Sequence, residues 1–267
     1  MKIATWNVNS IRSRLEHVTD WLRENPVELL CLQETKVTDD LFPRAELEAL
    51  GYHCAVSGQK SYNGVALLSQ QPLERVDIGF GAILGSETVG DLDAQKRVIS
   101  TVLNGVRIVN LYVPNGSAIG SEKYDYKLRW LDLLGRYLKT LLETGPEVSV
   151  CGDFNIAFED RDIYKPDGDK AIAKHIMSSP AEREALQTHL FDQGFIDAFR
   201  QFTPDKGHYS WWDYRTAAFR GDRGWRIDHH YISPALQAAA IACTIDKTPR
   251  GREKPSDHTP VILELDR

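Results

Sequence analysis

Glutamate, aspartate, asparagine, tyrosine and histidine recur in this sequence at one kind of place, the polar end of an apolar run. ELLCLQET delivers Gln33 and Glu34; VRIVNLYVPNG delivers Tyr112 and Asn115. EVSVCGDFN delivers Asp153 and Asn155, WRID delivers Asp228, and EKPSDHTPV sets Asp257 and His258 at the start of a run. KIATWNVN adds Asn7 and Asn9. Turn chemistry explains an isolated Asp or Asn at such a place, and a core aromatic with a surface hydroxyl explains an isolated Tyr. Turns do not call for Glu, Tyr and His at successive run ends. A shared pocket explains the coincidence better.

The residue types define a task. Hard cations such as magnesium or manganese take oxygen ligands, usually one or two carboxylates with several waters kept. Glu34, Asp153, Asp257 and the amide oxygens of Asn7 and Asn155 are such a set. The Cys and His clusters expected of zinc are missing. Water attacking phosphorus needs a base or a metal, and the transition state needs donors around the phosphoryl oxygens. Asp153 and Asn155, two apart, share a strand face. One can handle the water while the other donates, and Tyr112 and Asn115 can donate too. Asn7 and Asn9, also two apart, aim together. Asp257 and His258 are neighbours, so in an extended chain they point to opposite faces. The carboxylate that orients His258 must then come from elsewhere, and Asp228 is the best candidate. A carboxylate behind an imidazole fixes its tautomer and favours its charged form, which predicts a proton-donating His258.

The elements that must position these groups alternate between strand and helix. KIATWNV, ELLCLQ, GVALLS, RVISTVL, VRIVNLYV, EVSVCGDF, WRIDHHYIS and TPVILEL read as strands. SIRSRLEHVTDWLREN, KLRWLDLLGRYLKTLLE and SPAEREALQTHLFDQ read as helices, the last with Ser179 as N-cap, Pro180 at its first position and Glu182 three after the cap. This predicts one α/β domain over residues 1–267, with helices on the outer faces of its sheet layers. No apolar run approaches the roughly 20 residues of a membrane span, and the beginning of the sequence lacks the pattern of a signal peptide. The four cysteines are scattered, with no C-x-x-C pair, which points to buried thiols and a cytoplasmic setting. A net charge of −6 argues against a general nucleic-acid binder. Two stretches, RTAAFRGDRGWR (215–226) and KTPRGREK (247–254), are nevertheless basic. Lying near the polar motifs, they are expected to form a phosphate-facing surface.

Taken together, W-N-V-N-S-I-R, L-Q-E-T-K, Y-V-P-N-G, G-D-F-N, G-W-R-I-D and S-D-H-T-P resemble the exonuclease III family of abasic-site (AP) endonucleases, within the endonuclease/exonuclease/phosphatase superfamily. The likeness runs from residue 1 to about residue 265, in family order. G-D-F-N and S-D-H mark the superfamily, whereas Lys36 of Q-E-T-K together with G-W-R-I-D marks the narrower family. The resemblance implies a deoxyribonuclease I-like fold, a four-layer αββα sandwich of two mixed sheets. It implies magnesium-dependent cleavage of double-stranded DNA 5′ to abasic sites, with manganese as a substitute, and action on 3′ ends as a 3′-to-5′ exonuclease. Nothing in the sequence demands more than a monomer, and no membrane partner is expected.

Carried over residue by residue, Glu34 resembles the principal metal ligand, supported by Asn7 and Asp257, with Asn9 in the same cluster. Asp153 resembles the residue that positions or deprotonates the attacking water, and Asn155 the transition-state stabiliser; both are further metal contacts. Tyr112 resembles the phosphate-facing tyrosine, and Asp228 with His258 the acid–imidazole pair. Trp211, Trp225 and Ile227 match an apolar pocket for a flipped-out sugar without its base. Arg97 and Asn115 are expected to contact DNA, and Arg215 to enter a groove. Two other readings compete. One is a superfamily phosphatase acting on inositol phosphates or sphingomyelin. The other is a non-catalytic nucleic-acid-binding relative.

Overall fold

The structure is a computed structural model, and it describes residues 1–73, 75–165 and 175–267. Twelve strands follow in chain order: β1 (Lys2–Asn7), β2 (Leu29–Gln33), β3 (His53–Ser57), β4 (Val65–Ser69), β5 (Val76–Ile78), β6 (Val98–Leu103), β7 (Val106–Tyr112), β8 (Val148–Asp153), β9 (Ile196–Asp197), β10 (Asp228–Ile232), β11 (Ala240–Ile245) and β12 (Val261–Leu265). They form two six-stranded sheets, ordered β11-β12-β1-β2-β4-β3 and β5-β6-β7-β8-β10-β9. Each sheet is antiparallel except for one central parallel pair, β1 with β2 in the first and β7 with β8 in the second.

Alternation along β1 shows how the layers arise. Ile3 faces the neighbouring sheet, with Leu29, Cys31 and Leu67 of its own sheet and Ile99, Ile108, Cys151 and Ile232 of the other. Ala4 and Trp6 face outward, under Val18, Trp21 and Leu22 of α1 (Leu15–Glu24). Short helices α2 (Arg44–Glu48), α3 (Gly81–Leu84) and α4 (Ser86–Val89) follow. The outer face of the second sheet is covered by α5 (Glu122–Thr144), whose Trp130, Leu131, Leu134 and Leu138 lie on Val109, Leu111, Val148 and Val150. Packed beside it is α6 (Pro180–His189), which contributes Leu186. The last helix, α7 (Ala198–Phe202), adds Ala198 and Phe199 to the core between the sheets. Helix, sheet, sheet and helix make the four layers.

Element boundaries differ from the sequence expectation where side chains compete with the backbone. The first helix begins at Leu15, not Ser10, because residues 9 and 10 take positive φ and turn the chain. The long helix begins five residues before Lys127, capped by Ser121, whose side chain accepts the Tyr124 N–H. The third helix keeps its Ser179–Glu182 capping box but ends at His189. The short edge strands β3, β5 and β9 offer only brief apolar stretches, and strand β11, AIACTI, is a further strand beyond those expected.

A buried polar bridge from Asn110 helps to join the sheets. Asn110 of β7 donates to the carbonyls of Leu32 and Ala66 at 3.0 Å each, and accepts from Gln33 Nε2 at 2.7 Å. Gln33 also donates to Thr5 Oγ1 at 2.8 Å. Beneath the site, Gly152 is required by close approach: at φ +143° its Cβ would lie 1.9 Å from the Leu111 carbonyl oxygen of β7.

His229 and His230 of β10 are both completely buried. Burial pushes each imidazole down to about 4, from an ordinary 6.5. Between these values the unfolded chain binds more protons than the native one. Native stability is therefore full above pH 6.5 and falls as the pH drops toward 4. The urea midpoint should fall from pH 7 to pH 5, and the fall should be smaller in the His229→Gln/His230→Gln variant. Parallel profiles would show that these imidazoles do not set the slope.

Candidate active site

The site forms where the inward-facing rows of both sheets run out. Tyr112 closes β7, Asp153 closes β8 and Asp228 opens β10, and the register pairs Tyr112 with Asp153 and Asp153 with Asp228. Their side chains thus stand in a row along one rim. From the opposite sheet comes Asn7, last residue of β1, in register with Gln33 of β2. Asn7 Nδ2 donates to Asp153 Oδ2 at 2.9 Å and to Glu34 Oε1 at 2.9 Å, clamping the two carboxylates across the sheet interface. Its Oδ1 accepts the backbone N–H of Asn9 at 3.0 Å. Asn7 therefore meets the carboxylates through its nitrogen. Its oxygen, which the sequence reading assigned to a metal, is engaged by the turn.

Asn9 and Asn155 reach the cluster by turns and not by strand alternation. Asn9, Glu34, Lys36 and Asn155 all take positive φ, between 45° and 54°, a sparsely populated region for such residues that costs about 1 kcal/mol or more each. Asn9 Nδ2 donates to Asp257 Oδ1 at 3.0 Å, and Asn9 Oδ1 accepts from Lys36 Nζ at 2.6 Å. Lys36 Nζ also lies 2.7 Å from Glu34 Oε2. Asn155 turns back on Asp153, donating its N–H to Oδ1 at 2.8 Å and its Nδ2 to Oδ2 at 3.2 Å. Asn115 Nδ2 donates to Asn155 Oδ1 at 3.0 Å.

His258 turns away from its neighbour Asp257. Its Nδ1 donates to Asp228, 2.9 Å from Oδ2 and 3.1 Å from Oδ1, and its Nε2 lies 3.7 Å from Asp153 Oδ2. Burial alone would favour the neutral ring, but the charges of Asp228 and Asp153 raise it to about 10. The imidazolium is thus the resident form at neutral pH. Burial raises the Asp153 carboxyl to about 7, against the pull of His258 and with a further push from Asp228. Glu34 behaves oppositely. Burial would raise it, but the Lys36 charge and hydrogen bonds from Asn7 and Lys36 hold it below the usual range. Asp257 is likewise held down against burial by His258, Trp211 and Asn9. Tyr112 is raised well above its ordinary value by burial and by the Glu34 carboxylate, so it is a neutral hydroxyl donor.

A second compartment adjoins the polar one. Trp211, Trp225 and Met177 pack on buried Ala157, Ile163 and Ile227. Trp211 pairs with both Trp225 and His258 through isolated β-bridges, and its Nε1 donates to Asp257 Oδ2 at 3.0 Å. On the other side lies a cavity of about 500 Å³, lined by Arg97, Tyr112, Asn115, Tyr62 and Tyr126 among others. Arg97 is buried there, its guanidinium 4.5 Å from the centre of the Tyr112 ring.

The basic stretches correct an expectation. Arg226 is buried and paired with Asp162 and Asp197 at 2.8 and 2.6 Å. Arg250 is also buried, against the Phe219 and Tyr214 rings. Lys247 pairs with Asp222 and Arg252 with Asp20. These four cations are spent on the protein's own carboxylates and rings, so only part of each run, with Arg220, Arg223 and Lys254 exposed, can face a phosphate. Arg215 does project, with an 85% exposed side chain, although it is held by Asp213.

The donor set fits a hard divalent cation. Glu34 and Asp257 are held below the usual carboxyl range, and both reach the same amide-lined rim. Oxygens of Asp153 and Asp228 and a ring nitrogen of His258 lie within 4.8 Å of one another, but an imidazolium has no lone pair to offer. The Glu34 side of the cluster is the better seat.

Two contributors were missed from the sequence. Lys36 served only as a family marker. Ser210, in the turn before Trp211, donates to Asp228 Oδ2 at 2.6 Å and accepts the N–H groups of Ile227 and Asp228. A serine in a turn carries no signal by which sequence could single it out.

Residues 4–258 match the family model described as the Endonuclease/Exonuclease/phosphatase family. The chain is 35% identical over 268 residues to an exodeoxyribonuclease of Bacillus subtilis, covering 98% of each. It is 33% identical to exodeoxyribonuclease III of Haemophilus influenzae, covering 99% of this chain and all of that one. Among solved structures, a 3′ phosphatase from Neisseria bound to a product DNA hairpin superposes with a TM-score of 0.92 at 41% identity, and an AP endonuclease from Archaeoglobus fulgidus with 0.91 at 39%, each over the full length of both chains. The two mixed sheets, the rim of carboxylates and this full-length likeness agree: the chain belongs to the endonuclease/exonuclease/phosphatase family, in its exonuclease III branch, and is a DNA repair nuclease.

Proposed function

We propose that this nuclease hydrolyses the phosphodiester 5′ to abasic sites in duplex DNA, leaving a 3′-hydroxyl, and also trims 3′ ends as a 3′-to-5′ exonuclease. One observation supports the reading: the acid cluster adjoins an apolar cluster of Trp211, Trp225 and Ile227, with Trp211 bonded to Asp257 and bridged to His258. A phosphate beside Asp153 then places the adjoining sugar among Trp211, Trp225 and Ile227. An abasic nucleotide has no stacking to lose when it leaves the duplex, and a close-fitting apolar pocket rejects nucleotides that keep a base. Similar proteins named as a 3′ phosphatase and as an AP endonuclease support action at both kinds of site. A pocket walled by tryptophans is unsuited to an inositol polyphosphate. The full acid, amide and imidazole set argues against a non-catalytic relative.

The cofactor is magnesium, with manganese as a substitute, which Glu34 and Asp257 would hold, the amide oxygens of Asn7 and Asn155 being already bonded to Asn9 and Asn115. When bound it supplies positive charge at the phosphoryl oxygens and acidifies water. Asp153, made more basic by burial, takes the proton of the attacking water. Asn155 holds Asp153, and its Nδ2, resting on the Val113 carbonyl oxygen and Asp153 Oδ2, turns to a phosphoryl oxygen when substrate displaces one of these bonds. The His258 imidazolium, fixed by Asp228, and the Tyr112 hydroxyl neutralise developing charge. Asn9, Arg97 and Asn115 hold flanking phosphates, and Arg215 enters a groove. The enzyme works as a monomer in the cytoplasm, where its free cysteines stay reduced.

A labelled duplex with one tetrahydrofuran abasic analogue should be cut cleanly on the 5′ side of the analogue with magnesium and left intact with chelator. Cleavage of inositol phosphates and not of DNA would establish the phosphatase reading instead. Asp153→Ala should keep DNA affinity within about threefold while losing at least about 10²-fold in kcat, as expected for a general base. Undiminished turnover would remove Asp153 from the reaction. Trp225→Ala should lower the preference for the abasic over the intact duplex by about tenfold or more, by enlarging the pocket. An unchanged preference would place recognition elsewhere.

A further inference from the structure

Lys127, on the inward side of α5, and Glu182, in the first turn of α6, form an ion pair with both side chains fully buried. Lys127 Nζ lies 2.5 Å from Glu182 Oε1, 2.9 Å from the Asn155 carbonyl oxygen and 3.3 Å from the Asn115 carbonyl oxygen. An ammonium has three N–H groups, and here each has an acceptor. Glu182 is equally saturated. Oε1 also takes the Met177 N–H at 3.1 Å, and Oε2 takes the N–H and Oγ–H of Ser179 at 3.0 and 2.7 Å. Met177 in turn accepts the Ala157 N–H at 2.7 Å and packs in the Trp211–Trp225 pocket.

The pair thus holds three separate pieces of the site: the Asn115 loop, the Asn155 turn and the Met177 wall. Burying two charges to join two helices is a poor use of an ion pair, since apolar side chains of similar volume do so at no desolvation cost. What apolar groups cannot do is bond two carbonyls at once. Asn155 needs that restraint, because its φ of 49° is an unfavourable conformation that only its surroundings maintain.

The geometry points to Lys127 as a positioning residue, fixed by Glu182, that sets the backbone of Asn155 and Asn115 and so the placement of their amides against the phosphate. The inference rests on the proposed roles of those two asparagines. Chemistry then depends on Lys127 more than binding does.

The test is steady-state and single-turnover cleavage of an abasic duplex and of a 3′-recessed duplex, with DNA affinity measured separately in chelator. Lys127→Met should lower kcat at least tenfold on both substrates, with affinity within threefold of the wild type. Leu138→Ala, in the same helix but in the apolar core, is the stability control and should keep kcat within twofold despite a lower melting temperature. Glu182→Gln retains an acceptor and should fall between Lys127→Met and the wild type. If Lys127→Met does not fold, the Lys127→Met/Glu182→Gln variant, which strands no charge, is held to the same tenfold criterion. A folded variant lacking Lys127 with wild-type kcat, or one that loses affinity and rate in proportion, would overturn the inference. A wild-type enzyme that cuts neither duplex would instead overturn the proposed function.

Discussion

Two hydrogen bonds from one amide hold the centre of this molecule. Asn7 ends a strand of one sheet, and its Nδ2 bonds Glu34 of the same sheet and Asp153 of the other at 2.9 Å each. Buried carboxylates facing each other across a sheet interface repel, and they stay together only where donors lie between them. Asn7 is that donor. Its own position is set by β1, whose inward row of Ile3, Thr5 and Asn7 passes from apolar to polar toward the rim. The bridge from Asn110 to Leu32, Ala66 and Gln33 fixes the spacing of the sheets just below.

Charge is distributed around this centre by environment. Four carboxylates, Glu34, Asp153, Asp228 and Asp257, converge on one rim, with Lys36 and the His258 imidazolium set among them. The cations are not equivalent. Lys36 keeps Glu34 anionic, while His258, pinned by Asp228, which Ser210 holds in turn, faces Asp153. Against burial, Lys36 and Asn7 hold Glu34 below its ordinary range, whereas burial pushes Asp153 up to about 7 against the pull of His258. Groups of the same chemical type are so set at different proton affinities, the contrast on which the proposed division between a cation ligand and a proton acceptor rests.

Much of this was legible in the sequence. The eight apolar runs became strands because continuous Leu, Val and Ile segments have no other way to be covered on both faces. The polar residues at their ends met because the central strands of both sheets stop at one rim. The separation of Asp257 from His258 followed from alternation alone. Turn geometry was not legible. Asn9 and Asn155 arrive through positive φ, which a two-residue period does not foresee. Arg226 and Arg250 were misread because a run of basic letters does not tell where its partners are. Asp162 and Asp197, which neutralise Arg226, lie 64 and 29 residues away. Ser210 and Lys127 carry no local pattern. Their significance comes only from the groups that the fold sets beside them.

Strand β1 pairs with β12, and Ser256 Oγ donates to the Asn7 carbonyl oxygen at 2.7 Å across 249 positions. Such contacts close late, because the entropy of a long loop must be lost before they form. A partly ordered chain can hold Glu34 near Asn7, or Asp153 near Tyr112, without bringing His258 to either. The complete rim therefore exists only once β12 has closed the first sheet.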